Sequence, residues 1–363
     1  MLVFFILIFV PIALQQAEGN YYYEKERKKR NLALVFFFAF LTMLLMFRHE
    51  SIGNDTRNYI SIFKAFSGRS WKSLLNTSDS WEVGFTYYNK IISLFSKNAQ
   101  VFFAVTAIVT VCMIYPTYKR LCIDSTLTIL LYVNMSTFVM MFSGIRQMLA
   151  IAIGFLAYEF TRKKKFVPYA LMVALAMFFH TSAFMLLLMY PAYHIKLTKK
   201  SLIAVVPILG LIFVFNEPIF TFLAEFLEKY TRFEAELSST GAYTVLILFA
   251  MFVVFSFVIP DEKAMDAETQ GLRNFMIMSL ALQMFAPLHT LAMRMNYYYI
   301  IFIPLLIPKI IQYRKKDMHQ IALLARPIMV AFFLGYFFYS AYTSVNNLNV
   351  FPYKFFWEKT VWK

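Results

Sequence analysis

The sequence predicts an all-α, polytopic integral membrane protein of ten to twelve spanning helices, and three observations carry that prediction. Of 363 residues, 60% are hydrophobic and only 15% are charged, where a soluble globular domain carries about 25% charged residues. A soluble enzyme of one or two domains is thereby excluded. Apolar runs recur along the whole chain, and a spanning helix needs roughly 20 mostly apolar residues. Lys and Arg cluster between those runs, as cytoplasmic loops require. The net charge of +15 would point to nucleic acid in a soluble protein, but here it belongs to the loops. With only two cysteines, Cys112 and Cys122, there is no disulfide framework and no cysteine-based metal site.

Taken in order, Met1 to Leu14 is apolar and is followed by the basic cluster EKERKKR at 24–30. A secretory signal would place its charges first, so this segment reads as an anchor with its N-terminus outside, either a full span or a partly inserted helix. Leu32 to Phe47 returns outward, and Arg48 to about Asn98 forms a polar extracytoplasmic loop. Val101 to Tyr115 leads back to Lys119 and Arg120; Thr126 to Phe142 runs outward and Gly144 to Phe160 inward, ending at RKKK. Phe166 to Tyr193 lies between two basic clusters that both belong inside, so it must cross and return as two short helices meeting near His180. Leu202 to Phe215, Thr244 to Val258, Phe275 to Leu291, Tyr297 to Ile311 and Ile328 to Tyr342 complete twelve spans, with a smaller extracytoplasmic segment at about 216–241. Residues 1–363 read as a single membrane domain.

Ionisable residues inside spans are costly and are therefore the first functional candidates. At a rise of 1.5 Å per residue, Arg146 lies roughly 24 Å from the inner marker Arg162, and His180 roughly 22 Å from Lys165. By the same count His289 is roughly 24 Å from Arg273, and Arg294 roughly 30 Å from Arg314. All four are expected at the outer leaflet, which argues for a polar cavity open to the outside. Two arginines favour an anion, because the planar guanidinium suits bidentate binding of phosphate. The competing expectation is that each arginine snorkels to headgroups or pairs with a carboxylate. A histidine can serve as general base toward a hydroxyl, and His180 is the candidate for that role; alternatively it caps a helix. His289, in APLHT, follows a proline that itself ends or kinks a helix.

The loop at 48–98 mixes carboxylates and rings: Asp55, Arg57, Tyr59, Trp81, Glu82, Tyr87 and Tyr88. Carboxylates bind sugar hydroxyls and flat rings stack on sugar C–H faces, so this set, with Tyr297 and His289, is a candidate glycan surface. An amphipathic interfacial helix has a similar composition, and Asp55 also fits an N-cap. A P-loop, HExxH, a DxD-like pair and GxSxG are all absent, so the chemistry rests on Arg, His and carboxylate, with no metal or cofactor expected.

GIRQMLA at 144–150, FHTSA at 179–183, NDTRNY at 54–59, WEVGF at 81–85 and RMNYY at 294–298 resemble the EpsG family of bacterial membrane proteins, Wzy-like exopolysaccharide and O-antigen polymerases. The resemblance implies a multi-pass protein of the bacterial inner membrane with a GT-C-like helical fold. It implies transfer of a growing glycan from undecaprenyl diphosphate to the next lipid-linked repeat unit at the extracytoplasmic face. A chain-length regulator and a flippase of the same pathway are the implied partners. On that mechanism Arg146 and Arg294 stabilise the diphosphate, and His180, or else Asp55 or Glu82, takes the acceptor proton. Two alternatives stay open: a lipid-linked oligosaccharide flippase, and a membrane sugar O-acetyltransferase using His194 and His319.

Overall fold

The computed structural model describes residues 1–18, 31–75, 81–226, 241–343 and 348–358. The basic cluster at 24–30 and the 227–240 part of the second expected loop lie outside them. The described chain is all-helical, with no strand beyond two isolated bridges. Where the sequence reads as one membrane domain, the backbone divides into two compact units: Met1–Leu187 with Arg326–Lys363, and Leu188–Ala325.

The first unit begins with α1 (Leu2–Ala17) and α2 (Leu32–Met46), which contain no charged residue. A helix apolar on all sides belongs in a core or a bilayer, and α1 packs on α2. The segment expected as an extracytoplasmic loop is largely helical, as its alternative reading as an amphipathic helix has it: α3 (Thr56–Gly68), α4 (Trp71–Leu75) and α5 (Val83–Phe95). The reason is visible in its spacing. Tyr59, Ile62, Phe63 and Phe66 recur at i, i+3, i+4 and i+7, and this apolar stripe is buried. With Phe85 and Ile92 of α5, it forms a core against Phe102 and Phe103 of α6 (Ala99–Leu121) and Ile145 and Leu149 of α9 (Ile145–Arg162).

Between α6 and α9 the expected single span is two helices, α7 (Ser125–Asn134) and α8 (Ser136–Ser143), bent by 62°. α10 (Phe166–Phe179) packs along α9, and α9 along α6. At His180 the backbone becomes extended, φ −158° and ψ 121°. A 3-10 helix follows over Thr181–Leu188, so the chain breaks at the residue where the charge pattern requires a turn. The last helix, α18 (His319–Thr343), is followed by a tail that crosses the end of α2: His49 N–H donates to the Lys354 carbonyl at 3.0 Å and the Tyr353 hydroxyl to Leu44 O at 2.6 Å.

The second unit is arranged around α15 (Ala267–Gln283), which contacts α11 (Met189–His194), α12 (Leu202–Val214), α14 (Gly241–Val258), α16 (Thr290–Ile300) and α17 (Ile303–Gln312). α13 (Asn216–Phe226) follows α12 at a 75° bend, measured over residues 199–214 and 216–222. Two expected spans are redrawn here. The run Phe275 to Leu291 stops being α-helical at Gln283, and Tyr297 to Ile311 is interrupted before Pro304, at the N-terminus of α17. Proline lacks the amide needed to continue a helix but is well suited to its first turn.

Among the described residues, three helices are long and apolar enough to cross a bilayer, α6, α14 and α18, or up to five if each bent pair counts as one span. α1, α2, α10 and α17 are apolar but only 10 to 16 residues long. At 1.5 Å per residue even α1 reaches roughly 24 Å, short of a hydrocarbon core about 30 Å thick.

Candidate active site

Three separate stretches of the first unit converge on one carboxylate. Glu82 immediately precedes α5, in the N-cap position, yet its side chain does not cap that helix. It turns across to α9 and to the break after α10. Glu82 Oε2 accepts from Nη1 of Arg146, and Oε1 lies 3.0 Å from Nδ1 of His180 and 3.1 Å from the backbone N–H of Thr181. Glu82 thus satisfies a donor at the start of the 3-10 helix that local residues leave free. The close approach of α5 to α10 depends on Gly84, where an added Cβ would stand 2.7 Å from the Phe178 carbonyl oxygen.

Aromatic rings wall this group. The Arg146 guanidinium lies over Trp81, 4.2 Å from the ring centroid, and within 5.9 Å of Phe85. Phe85 meets Tyr59 edge-on at 5.7 Å. The side chains of Glu82, Arg146 and His180 keep 14%, 21% and 22% exposure, so the centre is sheltered but reachable. Arg146 Nε is buried without a hydrogen-bond partner.

Burial raises the Glu82 carboxyl, but the hydrogen bond to His180 and the charge of Arg146 outweigh it and hold it down at about 2. Glu82 is therefore ionised at neutral pH and acts only as an acceptor. The bond at His180 then requires the proton on Nδ1, and in the neutral imidazole Nε2 is left bare as a proton acceptor. The same depression makes Glu82 itself a weak base. Burial also pushes the Tyr59 phenol up, against the pull of adjacent Arg146.

Asp55 reaches the same helix start by another route. Its side chain does not cap α3; the Ser143 hydroxyl donates to Asp55 Oδ2 at 3.2 Å, and Asp55 N–H donates to that hydroxyl at 3.3 Å. This tether works because Gly53 turns at φ +86°, where an added Cβ would meet Phe142 O at 2.2 Å. Arg57 is exposed and pairs with Glu50 at 3.5 Å. Tyr87 stacks on Trp71, centroids 5.9 Å apart, a ring that the sequence reading did not single out.

The other candidates belong to the second unit. His289 is buried with its ring stacked on Phe220 at 5.8 Å, Arg294 is exposed and Tyr297 is buried. Asn296, beside them, donates to Ser279 O at 2.9 Å and Gln283 Oε1 at 3.2 Å, anchoring α16 to α15. Among the described residues no group of His, Cys, Asp and Glu is placed to hold a metal ion.

Of the residues singled out from sequence, the structure joins Glu82, Arg146 and His180 in one constellation, with Trp81 and Tyr59 against it. Arg146 follows the competing expectation: it pairs with a carboxylate, and that carboxylate also holds the histidine. The part played by Ser143 had no sequence signal beyond its place in a small turn.

No curated protein and no solved structure matches the chain. The model of the EpsG family matches residues 31–355, a range that takes in every residue of this constellation. The chain therefore belongs to the EpsG family of membrane proteins, which is associated with exopolysaccharide biosynthesis.

Proposed function

We propose that the protein is a Wzy-like polymerase of exopolysaccharide or O-antigen repeat units, acting at the extracytoplasmic face of the bacterial inner membrane. The donor is a growing glycan on undecaprenyl diphosphate and the acceptor is the next lipid-linked repeat unit. The observation that carries the reading is the Glu82–His180 contact beside Arg146: an oriented proton acceptor next to a cation, within a family of polysaccharide biosynthesis.

In this reading Nε2 of His180 takes the proton as the acceptor oxygen bonds to the anomeric carbon. The bond from that carbon to the diphosphate breaks, and its electron pair leaves with the lipid diphosphate. Arg146 stabilises the charge that develops there, a preorganised electrostatic contribution. Glu82 fixes the imidazole and the guanidinium, the role that a buried carboxylate plays in a catalytic triad. Trp81 and the Trp71–Tyr87 pair offer faces for sugar stacking. Arg294 is an exposed cation of the second unit and a phosphate candidate in its own right. A twelve-span, GT-C-like arrangement belongs to the same proposal.

Purified protein incubated with lipid-linked repeat units, without nucleotide sugar, is expected to build a ladder of longer glycans. A flippase or an acetyltransferase would leave the repeats unextended, and no ladder from active wild-type preparations would reject the reading.

A further inference from the structure

A second arginine of the first unit is more deeply buried than Arg146 and, among the described residues, has no acidic partner. Arg48, at the end of α2, is 3% exposed. Its Nη1 donates to Leu45 O at a long 3.4 Å, while Nε and Nη2 are buried without a hydrogen-bond partner. Phe103 covers one face of the guanidinium, 4.3 Å from its Cζ. Among the described residues, the titratable groups acting on it are the phenols of Tyr353 and Tyr59, both uncharged at neutral pH. The carbonyls at the end of α2 and the Phe103 ring offset part of the charge, but an unpaired buried ion remains strongly unfavourable.

Arg48 lines a cavity of about 20 Å³, together with Phe103, Thr106, Thr110, Met141 and Ile145. That is room for one water-sized species. The polar residues lining it are Thr106, Thr110 and Arg48, which keeps two unpaired nitrogens, and a threonine hydroxyl can donate to an anion. Thr106 is already engaged, donating to Phe102 O at 2.7 Å and accepting from the Tyr88 hydroxyl at 3.1 Å. A water could satisfy the unpaired N–H groups of Arg48 but not its buried charge, whereas an anion offsets both.

We infer that this cavity is a binding site for a monatomic anion of the halide class, held by Nε and Nη2 of Arg48 and the Thr110 hydroxyl. The site neighbours the candidate active site, since Ile145 precedes Arg146 and Tyr59 feels both arginines. The anion neutralises Arg48 where α2, α6 and α9 meet, so it ties these helices together.

The test uses the full chain in detergent, with thermal unfolding compared in chloride, bromide and gluconate at equal ionic strength, and crystals grown in bromide. The expected result is a melting temperature about 3 °C higher at about 100 mM halide than in gluconate, with an anomalous bromide peak beside Arg48 and Thr110. The halide response should vanish in Arg48→Met and shrink in Thr110→Val. If Arg48→Met does not fold, Thr110→Val decides alone. An unchanged response in the variant that folds, no halide-specific stabilisation of the wild type, or no bromide peak at Arg48 would overturn the site.

Discussion

Asp124 and Glu82 both stand at the start of a helix in the first unit, and each holds an arginine from a distant part of the chain. Asp124 is fully buried and takes Arg326 at 2.7 and 3.3 Å, Gln15 at 3.1 Å and the N–H of Leu127 at 3.2 Å. It caps its own helix and ties α1, α7 and α18 together. Glu82 leaves its own helix uncapped, keeps 14% exposure and collects a histidine beside its arginine. One carboxylate is spent on satisfying local backbone and closing a core. The other gives up its local bond to aim two reactive groups at an accessible spot, and a partnerless Arg146 Nε remains there. The difference separates an ion pair that closes a core from the one that the proposed mechanism uses, by what each leaves unfinished.

The most severe way to break the comparison is at the reacting groups. His180→Ala and Arg146→Ala should each slow glycan transfer by about 10³-fold, with single lipid-linked repeats still reaching the outer face and expression normal. Chain lengths read on gels would show single repeats accumulating. A normal ladder from either variant at wild-type abundance would remove that residue from the chemistry.

Asp124→Ala should act on the other side of the comparison. Removing one member of a buried pair leaves an uncompensated charge and costs about 3–5 kcal/mol, so the melting temperature in detergent should fall by roughly 10 °C. The protein that remains folded should transfer glycan at the wild-type rate per molecule. Intact stability in this variant would mean that α18 is held by its apolar contacts alone.

Glu82→Gln comes next, at about 10²-fold in rate, because the amide keeps the shape but no longer dictates the tautomer of His180. It also has a pH signature. The Glu82 carboxyl is depressed from 4.5 to about 2, so the stability it contributes is fully present above pH 4.5 and is lost as pH falls toward 2. Wild-type protein should lose stability over that window, and the Gln variant should lose less. Equal acid profiles would show that the ion pair contributes nothing to the fold.

Much of the site was legible because its residues are chemically out of place. Arg146 and His180 stand out in apolar surroundings, and the turn at His180 follows from two basic clusters that must share a side. The helix after Asp55 was legible as an alternative to a loop, because the Tyr59–Phe66 stripe repeats at helical spacing. The convergence of Glu82 on His180 was not legible, since 98 residues separate them and only the packing of α5 on α10 at Gly84 brings them together. Arg48 was hidden for the opposite reason: at the end of a span it looks like an ordinary interfacial cation, and only burial reveals it.

The smallest effect is expected at Arg57, which sharpens the comparison from its exposed end. Its pair with Glu50 spans 3.5 Å, and the two side chains are 54% and 48% exposed. Water and salt screen such a pair to about 0–1 kcal/mol. Arg57→Ala should therefore leave the melting temperature within about 2 °C and the rate at saturating substrate unchanged. Because Arg57 is exposed in the first turn of α3, it can still touch the glycan, and that contact would show only as a KM raised about twofold at low ionic strength. The rise should fade in high salt, since exposed charges are screened over about 10 Å at 0.1 M. A large fall in kcat would instead place Arg57 with Arg146, and the boundary between the aimed pair and the exposed one would have to be redrawn.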